Sequence, residues 1–296
     1  MSIETPPLSL YVHLPWCVRK CPYCDFNSHA APDRAPFKHY VTALLADLSA
    51  EARRAGGRTI VSIYLGGGTP SLFSVADIRR ILDAAHARLS VAEDCEVTME
   101  VNPGTVERGD LAGFRDAGVN RVSLGVQSFD ARMLKALGRI HGPEDVYAAF
   151  ADALSAGFDS INIDLMFALP GQSLEAAKQD VAEACRLAPP HVSYYQLTLE
   201  PNTEFFKRPP RDLPDDELAW QIGEHCHALL DAAGYEQYEV SAFAKAGHRC
   251  RHNLNYWTFG DYLAIGAGAH GKFTDVHGAI WRYQKPAHPR SYIEQM

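Results

Sequence analysis

Basic residues are in the minority in this chain, with 28 lysines and arginines against 36 aspartates and glutamates and a formal net charge of −8. That balance, with no clustered basic face, gives no footprint for nucleic acid. Long hydrophobic runs are also missing. The longest, such as INIDLMFAL at 161–169, are strand-sized and too short to span a bilayer. The opening MSIETPPLSL lacks the basic-then-apolar pattern of a signal peptide, so a cytoplasmic protein is expected. No Gly-Lys-Ser/Thr follows the glycine run at 66–68, which excludes a P-loop. Internal repeats and low-complexity stretches are absent.

Cysteine is present in an odd number, seven, and disulfides are not expected in a reducing compartment. Three of the seven crowd together in Cys17-Val-Arg-Lys-Cys21-Pro-Tyr-Cys24, while Cys95, Cys185, Cys226 and Cys250 are scattered. Cys95, Cys185 and Cys226 sit among apolar neighbours and read as small buried hydrophobes.

Hydrophobic periodicity alternates between two periods along the chain. Strand patterns run over 9–14, 59–65, 95–101, 121–127, 160–167 and 191–199. Helical patterns run over 37–56, 76–89, 107–116, 143–156 and 174–188. Six strand–helix alternations argue for a parallel sheet. A proline-rich stretch at 201–214 reads as a loop, and 215–234 as a further helix. From 235 onward the chain is rich in Tyr, Gly and Trp and reads as short strands and loops. Polar or glycine motifs fall at strand ends five times over: the cysteines, GGGTPS (66–71), Glu100-Val-Asn102-Pro, Gln127 and Asp164. A barrel gathers its site from many strand ends around one rim, whereas an open sheet uses one switch point. The expectation is therefore an α/β chain forming a partial (β/α)6 TIM-like barrel over 1–234. Residues 235–296 are expected to form a C-terminal extension that begins a further domain and is cut short inside a helical pattern.

Three thiolates on one short loop can hold three corners of an iron–sulphur cube and leave one iron open. Structural zinc, with His29 as fourth ligand, is the alternative that spacing alone leaves standing, and a second zinc pairing would join Cys250 to His252. Gly266-Ala-Gly268-Ala-His-Gly271 matches GxGxxG, but strand-like KFTDV and AIWRY follow where a dinucleotide site needs a helix.

The CxxxCxxC motif behind the first strand, with Tyr23 before the third cysteine, resembles the signature of the radical SAM superfamily. Within it the chain is similar to the oxygen-independent coproporphyrinogen III oxidase group. The matching stretches are YVHLPWCVRKCPYCDF, YLGGGTPS, MEVNPGT, RVSLGVQSFD, LGRIH, INIDLMFALPGQ and YQLTLEPNT. The resemblance implies a 4Fe-4S cluster on Cys17, Cys21 and Cys24. It also implies S-adenosylmethionine (SAM) contacts at Tyr11, Tyr23, Gly67, Gly68, Thr69, Glu100, Gln127, Arg139 and Asp164. The group's chemistry is reductive cleavage of SAM to methionine and a 5′-deoxyadenosyl radical. Seen singly, Glu100, Asp164 or Arg139 would read as solvated or structurally paired groups; their order and placement on strand ends single them out.

The true oxidase carries a fourth cysteine two residues after the third, and here that position is Phe26. It also has a long N-terminal extension, while 16 residues precede Cys17 here. Both departures, together with CDFNSH and the HNxxYW motif of His252-Asn253-Leu-Asn-Tyr256-Trp257, resemble the HemW-type haem chaperones. That resemblance implies haem binding and delivery to haem-receiving respiratory proteins. There would be no membrane span, though peripheral contact with membrane enzymes. His252 is a chemically sensible iron ligand, and Tyr256 and Trp257 can pack on a porphyrin face. The oxidase activity remains the second reading.

Overall fold

A computed structural model describes residues 5–104 and 108–296. Its centre is a sheet in which six parallel strands stand side by side in chain order. They are β1 (Leu8–Leu14), β4 (Thr59–Gly67), β5 (Ser90–Val101), β6 (Arg121–Gln127), β7 (Ser160–Phe167) and β8 (His191–Gln196). The order never reverses. With right-handed crossovers, an unreversed order puts every connecting helix on the same side. That produces a singly wound, curved α/β barrel segment and not a doubly wound sheet. Two short strands, β2 (Trp16–Cys17) and β3 (His29–Ala30), pair apart from it and bracket the cysteine loop.

Alternation along each strand separates the two faces. Leu8, Leu10, Val12 and Leu14 are all but fully buried in the apolar layer beneath the helices, and so are Val122, Leu124 and Val126. Their neighbours point to the inside, where β1 contributes Ser9, Tyr11 and His13, β5 contributes Glu96, Thr98 and Glu100, and β6 contributes Arg121, Ser123 and Gly125. The strands thus alternate, apolar toward the helices and polar toward the lumen.

The connecting helices are α1 (Phe37–Ala55), α2 (Val75–Arg88), α3 (Leu111–Asp116), α4 (Ala131–Ala136), α5 (Pro143–Ser155) and α6 (Leu174–Leu187). Caps fix several starts: the side chains of Ser74, Asp110, Asp130 and Ser173 each accept a backbone N–H of the following turn. The expected helix at 107–116 is described from Leu111; its first residue lies outside the described residues. Helix α4, in ARMLKA, had no sequence expectation. The proline-rich stretch contains one turn of helix, α7 (Glu204–Lys207), before α8 (Asp216–Ala232).

Residues beyond 234 add to both edges of the same sheet. Strands β9 (Glu236–Gln237) and β10 (Ala242–Ala244) extend it past β8. At the other edge β11 (Asp261–Ile265) runs parallel to β1, followed by β12 (His270–Thr274) and β13 (Ile280–Gln284). Between them α9 (Arg251–Trp257) carries the HNxxYW motif, and α10 (Pro289–Gln295) packs on α1. Buried charges fasten this part to α1: Lys285 Nζ lies 2.6 Å from Asp47 Oδ1 and 2.7 Å from Glu51 Oε1.

Candidate cofactor site

A cavity of about 420 Å³ opens at the C-terminal ends of the parallel strands, where barrel enzymes build their sites. The loop after β1 brings Cys17, Cys21, Cys24 and Tyr23 to it. A chain of hydrogen bonds sets the loop's position. His13 Nε2 donates to Asn27 O at 3.0 Å, and its Nδ1 accepts from the Tyr11 hydroxyl at 2.7 Å. Burial holds His13 down at about 4, so the ring is neutral and the two bonds fix its tautomer. Asn27 then donates to Ala267 O and Ala287 O at 2.9 and 2.7 Å, tying the loop to the C-terminal segment. On the far side Phe205 N donates to Pro22 O at 3.0 Å, and Tyr23 sits against Phe205.

The glycine loop follows β4 and brings Gly67, Gly68 and Thr69 into the lining. Its glycines are demanded by the protein's own packing. A Cβ on Gly68 would lie 2.7 Å from both Pro15 C and Trp16 O, and one on Gly67, at φ 111°, would run into the His13 ring. Two similar approaches explain the GxGxxG stretch. A Cβ on Gly266 would meet His13 O at 2.3 Å and one on Gly268 would meet Asn27 Nδ2 at 2.3 Å. Strand β12, not a helix, follows, as expected for a run unrelated to dinucleotides.

Strand ends supply the charged groups. Glu100 accepts from Gly67 N at 3.0 Å and from the Tyr64 hydroxyl. Burial raises its carboxyl to about 7; the Tyr64 bond opposes that rise and Asp164 adds to it. Asp164 is likewise pushed up by burial, against hydrogen bonds from Ser123 at 3.0 Å and Asn162 at 2.7 Å. Arg139 Nη2 donates to Asn102 Oδ1 at 2.7 Å and Gly125 O at 2.9 Å, while Nη1 stands 3.5 Å from Cys21 Sγ. Asn102 in turn donates to Thr69 Oγ1 at 3.0 Å. Gln127 closes β6 in the left-handed region at φ 69°, and its side-chain Oε1 accepts from the Tyr195 hydroxyl at 2.6 Å. Such a conformation is costly for a non-glycine residue and collects at functional sites.

Eleven of the thirteen predicted site residues therefore line one cavity, and two do not. Tyr11 lies one layer below, in the lumen, packed on Tyr64 at 5.5 Å between ring centroids. His252 stands lower still, on α9. Its side chain is 12% exposed and surrounded by Cys250, Glu96 and Tyr64. Burial alone would lower its imidazole, but the Cys250 sulphur and the Glu96 carboxylate hold it up at about 9. Sequence reading missed Tyr64, Ser123 and Tyr195, and named Asn102 only as part of a strand-end motif. All four lie in the matched stretches, and the alternation of their strands would have put them on the inner face.

The donor chemistry fits a cube better than a single ion. Among the described residues, the set of three such donors lying within 4.8 Å of one another is Glu96, Cys250 and His252; the three loop cysteines make no such set, with or without His29. Thiolates on separate irons stand further apart than thiolates sharing one ion, so three sulphurs held apart on one loop suit a four-iron cluster. The remaining groups suit SAM. A guanidinium can pair with its carboxylate, and two half-buried carboxylates, costly when alone, can be offset by its ammonium and sulfonium.

The family model described as Radical SAM superfamily matches residues 11–184. The chain is 55% identical over 292 residues to a protein of Escherichia coli K12 named heme chaperone HemW, covering 99% of this chain and 77% of that protein. It is 52% identical over 294 residues to the Haemophilus influenzae protein of the same name, covering 98% and 76%. Among solved structures, coproporphyrinogen III oxidase (HemN) from Escherichia coli superposes with a TM-score of 0.85 at 26% identity, covering 98% of this chain and 69% of that one.

Proposed function

Since the chain belongs to the radical SAM superfamily and, within it, to the HemW family of haem chaperones, we propose that it binds haem and passes it to haem-requiring respiratory proteins. The observation that carries this reading is the 55% identity to a named haem chaperone along 99% of the chain. It is supported by Phe26, 58% exposed at the cavity rim, where the oxidase resemblance calls for a fourth cysteine.

In this proposal Cys17, Cys21 and Cys24 hold the 4Fe-4S cluster. When bound, the cluster and SAM supply one-electron chemistry. The chain's own residues bind, orient and exclude water. Arg139 grips the SAM carboxylate and keeps Cys21 beside it. Glu100 and Asp164 accept from its ammonium or ribose hydroxyls. Gln127, braced by Tyr195, and Tyr23, packed on Phe205, wall the cavity. Haem would meet Tyr256 and Trp257, which are 36% and 56% exposed on α9; the His252 ring on that helix faces inward. Among the described residues no helix is long and apolar enough to cross a membrane. A cytoplasmic chaperone meeting membrane enzymes peripherally is part of the proposal.

A second reading, coproporphyrinogen III oxidation, is favoured by the fold match to that oxidase. One experiment separates the two. Anaerobically reconstituted protein is titrated with haem, then given a haem-depleted respiratory acceptor, and in parallel given coproporphyrinogen III with SAM and reductant. Haem binding and transfer without decarboxylation is expected. Protoporphyrinogen formation overturns the chaperone reading.

A further inference from the structure

At the base of the lumen, opposite the cofactor cavity, three side chains from distant parts of the chain converge. Glu96 comes from β5, and Cys250 and His252 come from the start of α9, 154 and 156 residues later. Cys250 Sγ lies 3.1 Å from His252 Nδ1 and 3.5 Å from Glu96 Oε1, and His252 Nδ1 lies 3.5 Å from Glu96 Oε1. We propose that these three residues form a metal site for a borderline divalent ion, zinc in the first instance, separate from the iron–sulphur loop.

The triangle has the dimensions of three corners of a zinc tetrahedron. Bonds of about 2.3 Å to sulphur and about 2.0–2.2 Å to nitrogen and oxygen give ligand–ligand edges of about 3.3–3.6 Å. The observed edges of 3.1, 3.5 and 3.5 Å differ from that by a few tenths of an ångström. The donor types agree as well, since thiolate, imidazole and carboxylate together suit zinc. Charge closes too. The thiolate and the Glu96 carboxylate neutralise a divalent ion, and a neutral assembly is the least costly one to bury. The buried Arg121 guanidinium stands near the same two anionic donors, Cys250 and Glu96, ahead of Asp164. Cys250 is only 2% exposed, and the side chains of His252 and Glu96 are 12% and 13% exposed. The ion would be largely enclosed, with one edge left for a water ligand.

Capping explains part of this arrangement and no more. Glu96 Oε1 accepts from Arg251 N at 2.9 Å and His252 N at 3.3 Å, so it caps α9. Both bonds fall on Oε1, the oxygen nearest Cys250 and His252, so the ion would take the place of the longer bond from His252 N or bind through the second carboxylate oxygen. Capping does not account for a sulphur and an imidazole brought to the same oxygen. The ion would staple α9 to the barrel, whatever α9 binds on its outer face; the inference does not rest on the haem reading.

Iron and zinc are counted separately in the full-length, cluster-loaded protein after exposure to zinc and desalting. One zinc per chain in addition to the cluster iron is expected. Cys250→Ser and the near-isosteric Glu96→Gln should each lower zinc at least five-fold with iron unchanged, while Cys185→Ser keeps both. Zinc-edge X-ray absorption then reads the ligands, with one sulphur at about 2.3 Å among nitrogen and oxygen neighbours expected. Zinc at background in the unmodified protein overturns the proposal, as does equal zinc in Cys250→Ser. A shell of three sulphurs overturns it as well, because it places the ion on the cysteine loop.

Discussion

The His252 ring stacks on Tyr64 with centroids 4.1 Å apart and planes 7° from parallel, and the Tyr64 hydroxyl donates to Glu100. One tyrosine on β4 thus joins the HNxxYW helix at the base of the barrel to a carboxylate of the cofactor cavity at its top.

Tyr64→Phe keeps the stack and deletes the bond to Glu100. That bond lowers the Glu100 carboxyl, which burial has raised to about 7. Without it the carboxyl rises further, and less of it is ionised at neutral pH. SAM should bind about three- to ten-fold more weakly, the worth of one ordinary hydrogen bond. The pH at which binding reaches half its plateau should move upward. Equilibrium SAM binding between pH 6 and about 9, spanning the carboxyl's range, measures both; an unchanged midpoint detaches Glu100 from the ligand.

Gly68→Ala should destabilise the protein by about 1–3 kcal/mol or more, as overpacking does. The added methyl meets backbone atoms of Pro15, Trp16 and Leu14 at 2.7–2.8 Å, which cannot swing aside. Those atoms open the cysteine loop, so iron incorporation should fall along with the melting temperature. A variant with normal iron content and stability would contradict the role given to this approach.

Cys17→Ser, Cys21→Ser and Cys24→Ser should each abolish the cluster after anaerobic reconstitution, judged by iron content and absorbance. Cys185→Ser, on α6 away from the cavity, should load normally. Equal loss of iron in all four variants would undo the ligand assignment.

Stability should fall as pH drops from about 6.5 toward about 4, in part through His141. Burial lowers its imidazole from 6.5 to about 4, and Nδ1 is buried without a hydrogen-bond partner. Between those values the unfolded chain takes up a proton that the folded one refuses. The stabilisation is therefore complete above 6.5, lost through the window, and lost no further below 4. The contribution is at most about 3 kcal/mol. His13, also held at about 4, titrates in the same window. His141→Gln should flatten the pH dependence of denaturant unfolding without removing it.

Local pattern was enough for the strands of the barrel: 121–127 and 160–167 fall where hydrophobic period and glycine breaks put them. Helix ends moved by a residue or two because caps, not propensity, set them. The short helix α4 and the single turn α7 escaped, being too brief to show a period. The cavity lining was legible for a related reason. A parallel barrel brings successive strand ends to one rim, so motifs at those ends must meet there.

By itself, the sequence determined the class of fold, the three-thiol loop and the family, because each is written in periodicity or short spacing along the chain. Only the tertiary structure decided where the HNxxYW helix goes. Nothing in 235–296 announces that α9 will seat under the barrel, turn His252 inward onto Tyr64 and set it beside Glu96. That placement depends on contacts across more than 150 residues, which no local pattern encodes. It likewise decided why Gly68 and Gly268 must be glycine, since the atoms they make room for belong to other segments of the chain.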